Sequence, residues 1–170
     1  MADLNVLVVF YSRYGNAEKQ ALAAGVGALR AKANIRLRRL ADLTGPDAIE
    51  ADSRWKENLE RMNRDYVTPR PADPVWADVI VLATPADSST EVATYVATLP
   101  TLGSMEGKIA APLGPSPGDT VLGSVYAAAA SAGLIVVPAG PGAVDGDTVG
   151  AARAYGQRVS QMARLLKAGR

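Results

Sequence analysis

Residues 4–17 read LNVLVVFYSRYGNA, and the first seven of them decide the fold class. Residues 4–10 form a nearly continuous apolar run rich in β-branched side chains, the pattern of a strand covered on both faces, as in a parallel sheet. The run stops at a polar loop, residues 11–17. Over residues 17–32, Ala21, Leu22, Gly25, Val26 and Leu29 recur at helical spacing, among Ala, Glu, Lys and Gln, which are good helix formers. Strand, loop and helix in this order open a βαβ unit.

The rest of the chain repeats the alternation. Ile35, Leu37 and Leu40 alternate with Arg36, Arg38 and Arg39, which predicts a second, more exposed strand near a sheet edge. Residues 79–83 (VIVLA) are another buried-strand run, closed by Thr84-Pro85, because proline has no donor for further central pairing. Residues 109–113, interrupted by Pro112, and residues 134–137 read as the last two strands. Helical stretches fall at residues 49–66, 90–99 and 118–132, the last stopped by Gly133. A final helix at 148–167 carries Val149, Ala152, Tyr155, Val159, Met162, Ala163 and Leu166 along one face. Residues 43–74 are the least regular third, bounded by Gly45-Pro46 and by Pro69, Pro71 and Pro74. Five strands alternating with helices predict an α/β doubly wound five-stranded parallel sheet with helices on both faces. Right-handed crossovers leave the order 2-1-3-4-5 as one of two common arrangements. At 170 residues, a single domain over 1–170 is expected.

Composition removes more functions than it suggests. Eighteen basic residues nearly balance seventeen acidic ones, so no nucleic-acid partner is implied. No apolar run reaches the roughly 18 residues of a membrane span, and residues 1–5 lack the charged start of a signal peptide, so a cytoplasmic location is expected. Zero cysteines exclude disulfides and thiolate chemistry, and zero histidines remove the commonest metal ligand and the commonest general base. Asp78, Asp145 and Asp147 lack the further oxygen ligands of a calcium loop, and Asp147 before Thr148 fits a helix start, so no metal site is expected.

In open α/β sheets ligands bind beyond the C-terminal strand ends, and the loop after the first strand lies there. Ser12 offers a hydroxyl, Gly15 permits close backbone approach, and Asn16 can cap the helix. Backbone N–H groups and the positive end of the helix dipole therefore converge on a point suited to an anion. Arg13 either adds a charge-assisted contact or points to solvent. The same residue types also build ordinary capped turns. Trp55, Trp76, Tyr66, Tyr95, Tyr126 and Tyr155 read as packing residues, whereas Tyr14 stands out by its place in the loop.

The wording YSRYGNAEKQA after a strand resembles the YS-x-YGN loop of flavodoxin-like NAD(P)H:quinone oxidoreductases of the WrbA (tryptophan-repressor-binding-protein) type. WADVIVLATP resembles that family's strand into its second flavin loop, GKIAA its fourth strand, and AGLIVVPAG its fifth. The resemblance implies a flavodoxin-like fold and an FMN cofactor carrying hydride from NAD(P)H to a quinone-type acceptor, in a homodimer or homotetramer. It implies phosphate contacts from Ser12, Arg13, Tyr14, Gly15, Asn16 and Ala17. The second flavin loop becomes Thr84, Pro85, Ala86, Asp87 and Ser88, and the third contributes Gly114 and Ser116. Asp87 replaces a basic residue of the family and Ser88 an aromatic one. A carboxylate there disfavours an anionic reduced flavin, and lost stacking weakens binding. The third loop is shortened and carries Pro115 and Pro117, the family's active-site histidine has no counterpart, and no catalytic residue is assigned. These departures keep open an alternative, a non-catalytic flavodoxin-like binding or interaction module that kept the phosphate loop but lost effective FMN binding. A one-electron shuttle with an acidic face is the least consistent reading, since the net charge is +1.

Overall fold

In the computed structural model, which describes residues 3–114, 121–140 and 147–169, the first apolar run becomes β1 (Asn5–Phe10), flanked by strands on both sides. The sheet is completed by β2 (Asn34–Arg39), β3 (Val79–Ala83), β4 (Ile109–Leu113) and β5 (Ile135–Val136). All four pairings are parallel and the spatial order is β2-β1-β3-β4-β5, the flavodoxin-like arrangement. The pleat sends Val6, Val8 and Phe10 to one face and Leu7, Val9 and Tyr11 to the other. Both faces are covered, which is why β1 and β3 read as unbroken apolar runs.

On the first face lie α1 (Asn16–Arg30) and α7 (Thr148–Ala168), and on the second α5 (Thr90–Leu102) and α6 (Val121–Ser131). Three helices connect β2 to β3: α2 (Pro46–Glu50), α3 (Ser53–Asp65) and α4 (Ala72–Trp76). The single helix expected over 49–66 is therefore split, with Asp52 starting α3 by accepting the Trp55 N–H at 3.0 Å. Helix α5 runs past 99 to Leu102, because Pro100 sits in its last turn, where few further bonds are lost. The fifth strand is shorter than expected, two residues. Pro112 lies beyond its reach, so the missing donor costs no pairing with β5.

Helix α1 buries a different face from the one that apolar spacing suggested, whereas α7 buries most of the expected one, with Ala152, Tyr155, Val159 and Ala163 inside. Leu22, Val26 and Leu29 of α1 and Met162 and Leu166 of α7 are exposed, while Ala17, Ala21, Ala24 and Ala28 face inward. A Cβ on Gly27 would lie 2.0 Å from the Arg153 carbonyl oxygen, and one on Gly156 would lie 2.1 Å from that of Ala24. The two helices thus meet backbone to backbone, and only small residues fit the seam.

The arginines of β2 secure the edge. Arg36 and Arg38 donate to Asp73 at 3.1 and 2.7 Å, and Arg36 lies over the Trp76 ring, which pins α4 beside the strand. Burial alone would raise the Asp73 carboxyl. Hydrogen bonds from Arg38, the Arg70 N–H and Arg36 outweigh it and hold the group below the usual carboxylate range.

Candidate functional site

The site forms where β1 and β3 end side by side. Tyr11 N–H donates to the Ala83 carbonyl at 3.1 Å, so the loop after β1 starts anchored to the end of β3. Ser12 is buried and its Oγ accepts the Gly15 N–H at 3.0 Å, closing a tight turn. Gly15 then takes φ +97°, a left-handed conformation that a side chain would strain, and occupies the N-cap position of α1. Asn16, expected as the cap, is instead the first helical residue and makes no capping bond. The Gly15 carbonyl accepts the first intrahelical bond, from Lys19. That leaves the N–H groups of Asn16, Ala17 and Glu18 without a hydrogen-bond partner among the described residues, all at the positive end of a fifteen-residue helix.

Arg13 does not point to solvent. Its Nε donates to the Tyr11 Oη at 3.0 Å, its guanidinium lies 4.4 Å over the Trp55 ring, and its Nη1 pairs with Asp87 at 3.3 Å. Tyr11 donates in turn to Asp42, which also accepts from Trp55 Nε1 and Arg39. Burial pushes the Tyr11 hydroxyl far above its ordinary value, so it stays a donor. Tyr14 donates to Asp52 at 2.6 Å, which raises its own hydroxyl and lowers that carboxyl. Asp52 and Trp55 belong to the irregular third of the sequence, and Asp42 immediately precedes it. That segment therefore packs along the outer flank of the loop and fixes two of its side chains.

Glu18 places a carboxylate beside the same helix end, where it would oppose an anion. It accepts two bonds from Arg61, at 2.9 and 2.5 Å, and one from Tyr66 at 2.6 Å. Burial works to raise the Glu18 carboxyl, but these bonds and the Arg61 charge prevail and hold it below its usual range. The Tyr66 hydroxyl is pushed up to about 12, by burial first and then by Glu18. The charge of Glu18 is thus neutralised within the protein.

The opposite wall is the loop after β3. Thr84 is buried, and its Oγ1 donates to the Ser88 carbonyl at 3.1 Å, while Ser88 Oγ donates to Glu91 at 2.6 Å. Between the two loops lies a cleft of about 270 Å³. Ser12, Arg13, Tyr14, Asn16 and Ala17 line one side and Thr84, Pro85, Ala86 and Asp87 the other. Gly15 shapes the turn, and Ser88 is drawn toward α5 by its bond to Glu91, so neither borders the cleft. Gly114 stands at the end of β4, where an added Cβ would meet the Leu122 side chain at 3.0 Å, away from the cleft lining. Ser116 and Asp145 lie outside the described residues. Asp147 caps α7 by accepting the Gly150 N–H at 2.8 Å.

One cleft residue has no counterpart in the sequence reading. Gln20 lines the cleft from α1, is 7% exposed, and its Oε1 has no hydrogen-bond partner among the described residues. The signal available was a polar residue on the inward face of α1, next to the small residues Ala17, Ala21 and Ala24.

No protein-family model matches the chain. Among curated proteins it is 32% identical over 111 residues to an NAD(P)H dehydrogenase (quinone) of Deinococcus radiodurans, covering 64% of this chain and 55% of that protein. It is 35% identical over 81 residues to a protein of the same description from Brucella anthropi, covering 48% of this chain and 38% of the other. The chain thus matches about half the length of its first curated relative and less of the second. Among solved structures, a flavodoxin from the domain Archaea superposes with a TM-score of 0.65 over 95% of this chain and 99% of its own, at 12% identity. The two-electron reduced flavodoxin of Megasphaera elsdenii gives 0.57 over 92% and 98%, at 18% identity. The fold is flavodoxin-like.

Proposed function

We propose that the cleft between residues 12–17 and 84–87 binds FMN and that the chain passes electrons from NAD(P)H to quinone-type acceptors. The observation that carries this reading is that Ser12, Arg13, Asn16 and Ala17 line one wall of the cleft at the start of α1, where three backbone N–H groups have no partner among the described residues. That donor set suits a phosphate monoester. The descriptions of the two curated relatives support the electron donor and acceptor.

The residues fit the phosphate end of FMN well. Ser12 Oγ accepts from Gly15 and keeps its own proton to donate. Arg13 is held in place by Tyr11 and Trp55, so little side-chain freedom is lost when an anion arrives. The cleft volume, about 270 Å³, sits at the small end of ligand pockets, which run to roughly 300–1,000 Å³. It suits the phosphate and polyol chain, with Thr84, Pro85 and Ala86 offering a short wall to what lies beyond. FMN, when bound, supplies the hydride-accepting chemistry. The chain's own residues bind, orient and exclude water, and no side chain is required as a nucleophile.

A second reading, a binding module without turnover, draws on the other wall. There Asp87 is engaged by Arg13 and Ser88 by Glu91, and no aromatic side chain borders the cleft from that loop. The readings separate in one series. FMN fluorescence quenching establishes binding, and stopped-flow mixing with NADH or NADPH followed by a quinone measures electron passage. No FMN binding, or binding with no reduction by either nicotinamide, leaves the module. No helix among the described residues is long and apolar enough to cross a membrane. A cytoplasmic homodimer or homotetramer belongs to the same proposal, and light scattering of the purified chain tests the assembly.

A further inference from the structure

We infer that Gln20 is a ligand-binding residue whose side-chain amide completes the anion cradle by donating to the phosphate of the bound ester. The inference rests on the reading of the cleft as an anion site.

Three observations meet at this residue. Gln20 lines the cleft, its side chain is more than nine-tenths buried, and Oε1 has no hydrogen-bond partner among the described residues. A buried amide oxygen without a donor is a cost that folded proteins rarely leave standing.

Position on the helix says what the amide is for. Gln20 follows Asn16 by four residues and Ala17 by three, so it shares their side of α1, about 6 Å further along the axis. Helical side chains lean toward the N-terminus, which carries the amide of a long side chain back to the turn whose N–H groups are free. Alanine at 17 and 21 leaves room for that path.

An amide bears a donor and an acceptor of nearly equal size, and a half-turn of its last torsion exchanges them. In the ligand-free chain neither orientation is fixed by a bond. The occupant decides, and a phosphate, rich in acceptors, selects Nε2. The chemistry thus distinguishes phosphate esters from the corresponding alcohols: a ligand without the phosphate gains nothing from Gln20.

The test compares wild type, Gln20→Met and Gln20→Glu, with thermal melts as a check on folding, against FMN, riboflavin and inorganic phosphate. Binding is followed by flavin fluorescence and by the shift of the ¹⁵N-labelled Gln20 amide signals. Met keeps length and packing but not the donor, so FMN affinity is expected to fall about tenfold while riboflavin affinity stays unchanged. Glu adds a negative charge and is expected to weaken FMN further. In wild type, inorganic phosphate is expected to move the Gln20 signals. Equal losses for FMN and riboflavin would overturn the phosphate assignment, and unchanged FMN affinity in Gln20→Met would overturn any contact. If phosphate moves Gln20 but FMN does not bind, the inference stands and the flavin reading falls. If neither phosphate nor FMN binds, both fall.

Discussion

Ser12→Ala removes one oxygen that has two duties, holding the turn and facing the cleft. Without the ligand, its loss leaves the Gly15 N–H without an acceptor in a buried turn. An unpaired buried donor costs about 1–3 kcal/mol. In a domain of this length each 1 kcal/mol moves the melting temperature by roughly 2–4 °C, so a drop of about 2–12 °C is expected. With FMN bound, two effects oppose. The lost hydroxyl donor to a charged phosphate is worth about 1.5–3 kcal/mol, while the released Gly15 N–H can turn to the same anion and return about 1 kcal/mol. The loss wins, and the dissociation constant for FMN rises by about two- to thirtyfold, with riboflavin unaffected. Differential scanning fluorimetry without ligand and flavin fluorescence titration read the two parts separately. An unchanged melting temperature would refute the Ser12–Gly15 turn, and an unchanged FMN affinity would place the phosphate elsewhere.

Asp87→Asn frees Arg13 from an exposed ion pair worth about 0–1 kcal/mol, so FMN should bind up to about fivefold tighter; weaker binding would show that Asp87 holds the ligand rather than competing with it. Gly156→Ala drives a methyl to 2.1 Å from the Ala24 oxygen and forces α1 and α7 apart; urea denaturation should show a loss of at least about 2 kcal/mol, and an unmoved midpoint would refute the backbone seam. Glu18→Gln should cost about 1–2 kcal/mol near neutral pH, discounted because Arg61 is partly exposed. The Glu18 carboxyl is lower folded than unfolded. Its contribution is therefore complete above the unfolded value, about 4.3, and is lost as pH falls through the lower folded one. A difference between wild type and Glu18→Gln that persists unchanged well below pH 4 would contradict the pairing with Arg61 and Tyr66.

The strands and their order were legible because a strand buried on both faces carries an unbroken apolar run, as in Leu7, Val8 and Val9 or Ile80, Val81 and Leu82. The loop at 12–17 was legible because Ser, Gly and a following helix form a local pattern. Four things were not. The buried side of α1 follows from how closely α7 approaches, which depends on Gly27 and Gly156 lying opposite carbonyls far away in sequence. Asp42 and the segment 43–74 after it reach the loop through single polar contacts, Asp42 to Tyr11 and Asp52 to Tyr14, and a lone aspartate in a polar segment announces no partner. The direction of the Arg13 side chain, open in the sequence, is set by Tyr11 and Trp55, one of them two residues away and the other forty-two. Gln20 was overlooked because glutamine is common in exposed helices, and only its burial makes it informative.

The most direct measurement is the titration of the purified chain into FMN, followed by quenching of flavin fluorescence, beside the same titration with riboflavin. A cleft built around the phosphate predicts a dissociation constant for FMN in the micromolar range or below, with riboflavin at least about tenfold weaker. No quenching of FMN at about a hundred micromolar protein, or equal affinity for the two flavins, would contradict it.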